Sequence, residues 1–200
     1  MSPCVVAILV AAFLGLVAGH PGGHGKCFAN LTATVDECCQ IPMLVDKSVL
    51  ESCRKEFPFK HEHGKGAKGH GSHGSCISNC ILTAMGGFKN DKFDVAGFKK
   101  SVEKVAKANP AFTTLIGQTI DQCAASAQVD SAFTREPPSD DKTPPCSIAP
   151  KIFVNCVYSK LFEKCPSSAW TAKTECSALK DKLKSGCPYF ALRKHPKRED

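Results

Sequence analysis

CSIAPKIFVNCVYSKLFEKCPSSAWTAKTEC, residues 146–176, decides the fold. Phe153, Val157 and Leu161 recur at a spacing of four, one stripe of an amphipathic helix. Ser147 and Pro150 suit the opening of that helix, because proline lacks only an N–H that the first turn leaves unpaired anyway. Cys156 and Cys165 are nine positions apart, on opposite sides of an ideal helix. One of them therefore lies beyond the helix end, and Pro166 helps stop the helix there.

Working outward, the rest of the chain reads the same way. Val45, Val49, Cys53 and Phe57 recur every four residues. Cys76, Ile77, Cys80 and Ile81 form one face of a helix that Gly86-Gly87 ends. Cys76 and Cys80 lie about 40° apart on that face, so both reach a neighbouring element. Asp94 caps a helix carrying Val95, Phe98, Val102 and Val105, closed by Asn109-Pro110. Phe112, Leu115, Ile116, Thr119 and Cys123 line the next. Residues 135–146, with four prolines, read as a loop. Ser167 is read as the cap of a last helix with the stripe Ala172, Cys176, Leu179 and Leu183, closed by Gly186. No sustained period-two alternation occurs, so the fold class is all-α. Cysteines flank every candidate linker, which leaves no domain boundary.

The cysteine count needs an environment. Of 200 residues, 13 are Cys, with 42% hydrophobic, 22% charged and a net charge of +7. Val5–Ala18 is an uncharged apolar run of 14 residues, short of the roughly 20 that span a bilayer. Val17 and Gly19 fit the small-residue positions of a signal peptidase site, so residues 1–19 are expected to be a leader and His20 the mature start. Cleavage removes Cys4 and leaves twelve cysteines, an even set in an oxidising, extracellular compartment. Residues 20–200 then form one domain. Asn30-Leu31-Thr32 is a glycosylation sequon at Asn30.

The ordered spacing from Cys76 (x3 to Cys80, x42 to Cys123, x22 to Cys146, x9 to Cys156, x8 to Cys165, Pro166, then x9 to Cys176) resembles the insect odorant-binding proteins. The x3 and x8 pairs are hallmarks of that family. The extra cysteine before the x8 pair, the proline after it and the later cysteine look like its Plus-C subgroup. The resemblance covers about residues 27–187, with Cys38-Cys39 and Cys53 on the N-terminal side; the Gly/His tract between Cys53 and Cys76 departs from it. The resemblance implies a compact, disulfide-stapled helical carrier, with extra helix and tail at the C-terminus, secreted to bind small hydrophobic molecules such as odorants in an apolar cavity. By position it implies bridges Cys53–Cys80, Cys76–Cys156 and Cys123–Cys165. Cys27, Cys38, Cys39, Cys146, Cys176 and Cys187 remain for three more, with 15 pairings open. The expected lining is Phe98, Val102, Phe112, Leu115, Ile116, Phe153, Val157 and Leu161. Trp170 and Phe190 close the site, and Tyr189 offers its hydroxyl to a polar ligand group.

Other chemistries lack their residues. Asp36-Glu37-Cys38-Cys39 is like a secreted phospholipase motif, but Gln40-Ile41-Pro42-Met43 follows where a His and an Asp are needed. The two GxGxxG matches, from Gly64 and from Gly69, follow no strand and arise in a glycine-rich tract. There is no HExxH or GxSxG, so no enzyme activity and no cofactor are expected. Zinc would need close CxxC or CxH pairs, which are missing. The lysines are spread out, and the basic tail at 191–200 ends in Glu199-Asp200; neither nucleic-acid binding nor membrane insertion is expected, and a homodimer is left open. Residues 60–75, with His61, His63, His70, His73 and five glycines, read as a flexible solvated loop. Their imidazoles also suit a weak Cu(II) or Zn(II) site, or a charge switch near pH 6.5. The alternative to a carrier is a secreted structural or protein-interaction module whose stripes fill one another.

Overall fold

A computed structural model of the chain describes Cys27 and residues 31–58, 70–129 and 146–193. Seven α-helices carry these residues. A capping box opens α1, Val35–Cys38: Glu37 N–H donates to Thr34 Oγ1 (3.1 Å) and Thr34 N–H to Glu37 Oε2 (2.7 Å). Asp46 caps α2, Lys47–Glu56, by accepting from Ser48 N–H at 2.8 Å. Then come α3, His70–Ala84, and α4, Val95–Ala108, whose cap Asp94 accepts from Gly97 N–H at 2.8 Å. A 3-10 turn over Pro110–Phe112 leads into α5, Thr113–Val129. Next are α6, Ala149–Glu163, with Pro150 in its first turn, and α7, Thr174–Lys184. A last 3-10 turn covers Tyr189–Leu192.

Glycine ends two helices for the same reason. Gly86 (φ +69°) and Gly186 (φ +94°) adopt the left-handed conformation beyond α3 and α7. Gly87 N–H then donates to Leu82 C=O (2.8 Å), and Cys187 N–H to Lys182 C=O (3.0 Å), satisfying carbonyls that the helix ends leave free.

α6 is the hub. It packs on α5, α3, α7 and the Tyr189–Leu192 turn; α4 packs on α5, and α2 on α3. Phe153, Val157 and Leu161 are buried on one stripe, as expected, and Phe162 is fully buried on another. The core adds Leu82, Ile116, Ile120, Val35 and Leu44.

Three expectations are corrected. The last helix starts at Thr174, not near Ser167, which opens a 3-10 turn over Ser167–Ala169. Trp170 is extended and bridges Cys39, and Thr171 N–H donates to Cys38 C=O at 2.8 Å; this backbone pairing excludes helix, and Ala172 is left exposed. In the Gly/His tract, α3 already begins at His70, inside the stretch read as loop. His61 and His63, Asn30, residues 1–19 and 135–145, and the tail beyond Arg193 lie outside the described residues. A short hairpin also appears, Phe88–Lys89 (β1) with Lys92–Phe93 (β2), in register Phe88–Phe93 and Lys89–Lys92. Its turn residues Asn90 (φ 50°) and Asp91 (φ 56°) are both left-handed, a geometry that Asn and Asp tolerate and that matches strand twist.

The disulfides are the third correction. Cys53–Cys80 joins α2 to α3 as implied, but Cys76 pairs with Cys146 and Cys123 with Cys156. Cys39–Cys165, Cys38–Cys176 and Cys27–Cys187 complete six. The reason is where α6 sits. Cys156, mid-helix, faces α5 with its Cα 5.9 Å from that of Cys123. Cys165 lies past the helix end beside Cys39, and Cys146, ahead of α6, stands against α3, its Cα 5.0 Å from that of Cys76.

Two outcomes check this packing. Proteolysis of the unreduced protein yields peptides linking Cys76 to Cys146 and Cys123 to Cys156; a Cys76–Cys156 peptide contradicts the fold. A Cβ at Gly97 would fall inside contact distance of the Gly86 carbonyl oxygen and 3.0 Å from the Asp94 carboxylate. Gly97→Ala therefore lowers thermal stability, by about 1–3 kcal/mol for overpacking, although alanine is the better helix former.

Candidate functional site

The inner faces of α4, α5 and α6 meet as their stripes require. Phe98 and Val102 from α4, Phe112 from the 3-10 turn ahead of α5, Ile116 from α5, and Phe153, Val157 and Leu161 from α6 are all buried in one apolar cluster. The Phe98 and Phe153 rings meet edge to face at 5.6 Å. Leu115 is only partly buried. Sequence reasoning missed Phe93, whose ring lies 4.9 Å from Phe153, and Phe88, 5.2 Å from Phe93. The signal was present in FKNDKF at 88–93, two aromatics framing an Asn-Asp turn.

Trp170, Tyr189 and Phe190 gather on the opposite side of α6, around Tyr158 and Phe162. Trp170 meets Phe162 edge-on at 5.5 Å and carries the Lys180 ammonium 3.8 Å above its ring. Tyr189 stacks on Tyr158 at 5.3 Å, and Phe190, 40% exposed, covers both. Tyr158 and Phe162 lie about 140–180° around the helix from Phe153, so the two groups are separated by α6 itself. The Tyr189 hydroxyl is already engaged: it donates to Asp36 Oδ1 at 3.4 Å, while Arg193 Nε donates to Asp36 Oδ2 at 2.9 Å. Tyr158 accepts from the buried Leu44 N–H at 3.2 Å. These contacts join the C-terminal turn to α1, and α6 to the segment ahead of α2.

Polar features are few. Thr119 is fully buried on the core face of α5, and its hydroxyl has no hydrogen-bond partner among the described residues. A cleft of about 430 Å³ lies elsewhere, lined by Thr32, Ala33, Glu37, Thr171, Lys173, Glu175 and Cys176, and none of the expected lining residues borders it. Among the described residues, no three His, Cys, Asp or Glu side chains are grouped to hold a metal. No described helix is long and apolar enough to cross a membrane.

Burial pushes the ionisation of both tyrosines upward, and the Asp36 carboxylate adds to the shift at each. The chain has no other tyrosine. The folded state favours the neutral phenols, so their stabilisation is full below about pH 10, the unfolded value, and is lost as pH rises further. A spectrophotometric titration of the disulfide-intact protein shows no tyrosinate at pH 10 to 11 while helicity persists; half-ionisation near pH 10 in folded protein contradicts the burial. Tyr158→Phe leaves the buried Leu44 N–H without its acceptor and costs about 1–3 kcal/mol in chemical denaturation.

Comparison with known proteins agrees with this helical, six-bridge arrangement. A family model described as AgamOBP47-like matches residues 42–182. General odorant-binding protein 67 of Anopheles gambiae is 48% identical over 200 residues, spanning 98% of this chain and 96% of that protein. Odorant-binding protein 47 of Anopheles gambiae is 24% identical over 191 residues, spanning 92% and 82% respectively. With that match across nearly its whole length, and with six disulfides consistent with the Plus-C subgroup, the chain belongs to the insect odorant-binding proteins of the AgamOBP47-like family.

Proposed function

We propose that the chain is a secreted, non-enzymatic carrier that takes small hydrophobic molecules into the apolar region between α4, α5 and α6. The observation that carries this is the convergence of Phe98, Phe112, Ile116, Phe153, Val157 and Leu161 from three helices. Family membership supplies the class of ligand: the relatives are odorant-binding by name. Disulfides between α5 and α6, between α2 and α3, and from α3 to the start of α6 brace the frame, so side chains can part for a ligand without the helices separating. Sites of this kind are mostly apolar with few polar anchors. A ligand of about ten to fifteen heavy atoms, at about 0.3–0.6 kcal/mol per atom, binds at about micromolar Kd. The leader at residues 1–19 directs the protein into the oxidising secretory route, where its bridges form, and on to the extracellular fluid.

One observation favours a second reading. The seven deeply buried lining residues pack against one another, as in an interaction module with a filled core. Displacement of an apolar fluorescent probe by a panel of volatile alcohols, aldehydes and hydrocarbons separates the two. Saturable displacement, abolished by Phe153→Asp in protein that keeps its helicity and by Leu115→Glu at the half-buried rim, supports the carrier. Correctly bridged protein that binds no probe is the interaction module instead.

A further inference from the structure

Thr119 carries a buried hydroxyl that the described residues leave without a partner. Three helical serines show the local option, donating to a backbone carbonyl three or four residues back: Ser78 Oγ donates to Gly74 C=O at 2.9 Å, Ser126 Oγ to Gln122 C=O at 3.0 Å, and Ser101 Oγ to Phe98 C=O at 2.7 Å. Thr113 Oγ1, at the start of the same helix as Thr119, donates to Ala106 C=O at 2.7 Å. Thr119 has the same local option. Its Oγ1 is nevertheless unpartnered among the described residues, in a side chain with 0% exposure. A buried hydroxyl with no partner destabilises a fold, and valine would fill the same volume without that cost.

Position says what the hydroxyl faces. Thr119 is three residues beyond Ile116 and four before Cys123, so it shares their side of α5. Ile116 and Cys123 are both buried on that side, and Cys123 is bridged to α6. Asn155 Oδ1 is also unpartnered, but it lies about 160° around α6 from Phe153, off the face that carries the lining residues. The Tyr189 hydroxyl is held by Asp36. Among the described residues, Thr119 thus carries the buried, unpartnered hydroxyl on the α5 face proposed above for the ligand.

We propose that the Thr119 hydroxyl is the polar anchor of the ligand site and selects apolar molecules that carry one oxygen function, an alcohol or a carbonyl, over hydrocarbons of the same length. This rests on the carrier reading. The hydroxyl donates to the ligand oxygen, and an alcohol can also return a proton to the threonine lone pairs; a hydrocarbon does neither and leaves the group unpaired.

The test uses the mature, fully bridged chain and three matched probes, 1-octanol, octanal and octane, in competition with one fluorescent apolar ligand. Wild type is expected to prefer the oxygenated pair. Thr119→Val weakens 1-octanol and octanal about five- to tenfold and leaves octane unchanged or tighter. Thr119→Ser, which keeps the hydroxyl, retains the preference, and helicity and melting temperature confirm that both variants fold. Equal affinity for all three probes in wild type, or an equal change for all three in Thr119→Val, overturns the anchor while the carrier stands; the second pattern is that of a hydroxyl satisfied by internal water. Wild type that binds none of the probes overturns the carrier and the anchor together.

Discussion

Everything else in the structure leans on the two-sided burial of α6. Its Phe153, Val157 and Leu161 stripe closes on α4 and α5, while Tyr158 and Phe162 close on the C-terminal turn and Trp170. A helix buried on one stripe needs one partner; a helix buried on two must be enclosed. The chain meets that demand by bringing α3, α7 and its C-terminal turn around the same element. Asp36, in α1, and Arg193, at the end of the described chain, form an ion pair beside that turn, with two guanidinium nitrogens of Arg193 on Asp36 Oδ2 at 2.9 and 2.8 Å.

The bridges follow from the same enclosure. Three tie sequentially close pieces of the helical frame, with separations of 27, 33 and 70 residues. The other three span 126 to 160 residues and fasten the N-terminal segment to the C-terminal one. In the chain-entropy account such long loops gain the most from closure, about 4–5 kcal/mol each before strain. Adjacent Cys38 and Cys39 serve two of them because Cys39 is extended, which sends successive side chains to opposite sides. The exchange of backbone bonds between this segment and residues 170–171 then makes a short sheet-like seam where a helix would otherwise continue.

Polar groups divide by use. The Tyr158 and Tyr189 hydroxyls serve the fold, the first by receiving a buried N–H and the second by joining the Asp36–Arg193 pair. The Thr119 hydroxyl serves nothing that the described residues supply.

By itself, the sequence determined the elements and the class. Four-residue stripes located the inward faces of α4, α5 and α6, because helix geometry is local; Asp94, Pro150, Gly86 and Gly186 marked ends through backbone chemistry that is equally local. The ordered cysteines carried the family. Tertiary structure alone decided which cysteine meets which, since partner choice depends on how helices far apart in the chain stack: Cys123 reaches Cys156 and not Cys165 because the first faces it across packed helices and the second lies past the end of α6. It also decided that residues 170–171 pair with Cys38-Cys39 instead of joining α7, a case where long-range backbone bonds override local propensity. And it separated Trp170, Tyr189 and Phe190 from the lining they were expected to close, because α6 stands between the two groups and only its three-dimensional placement shows which side each one takes.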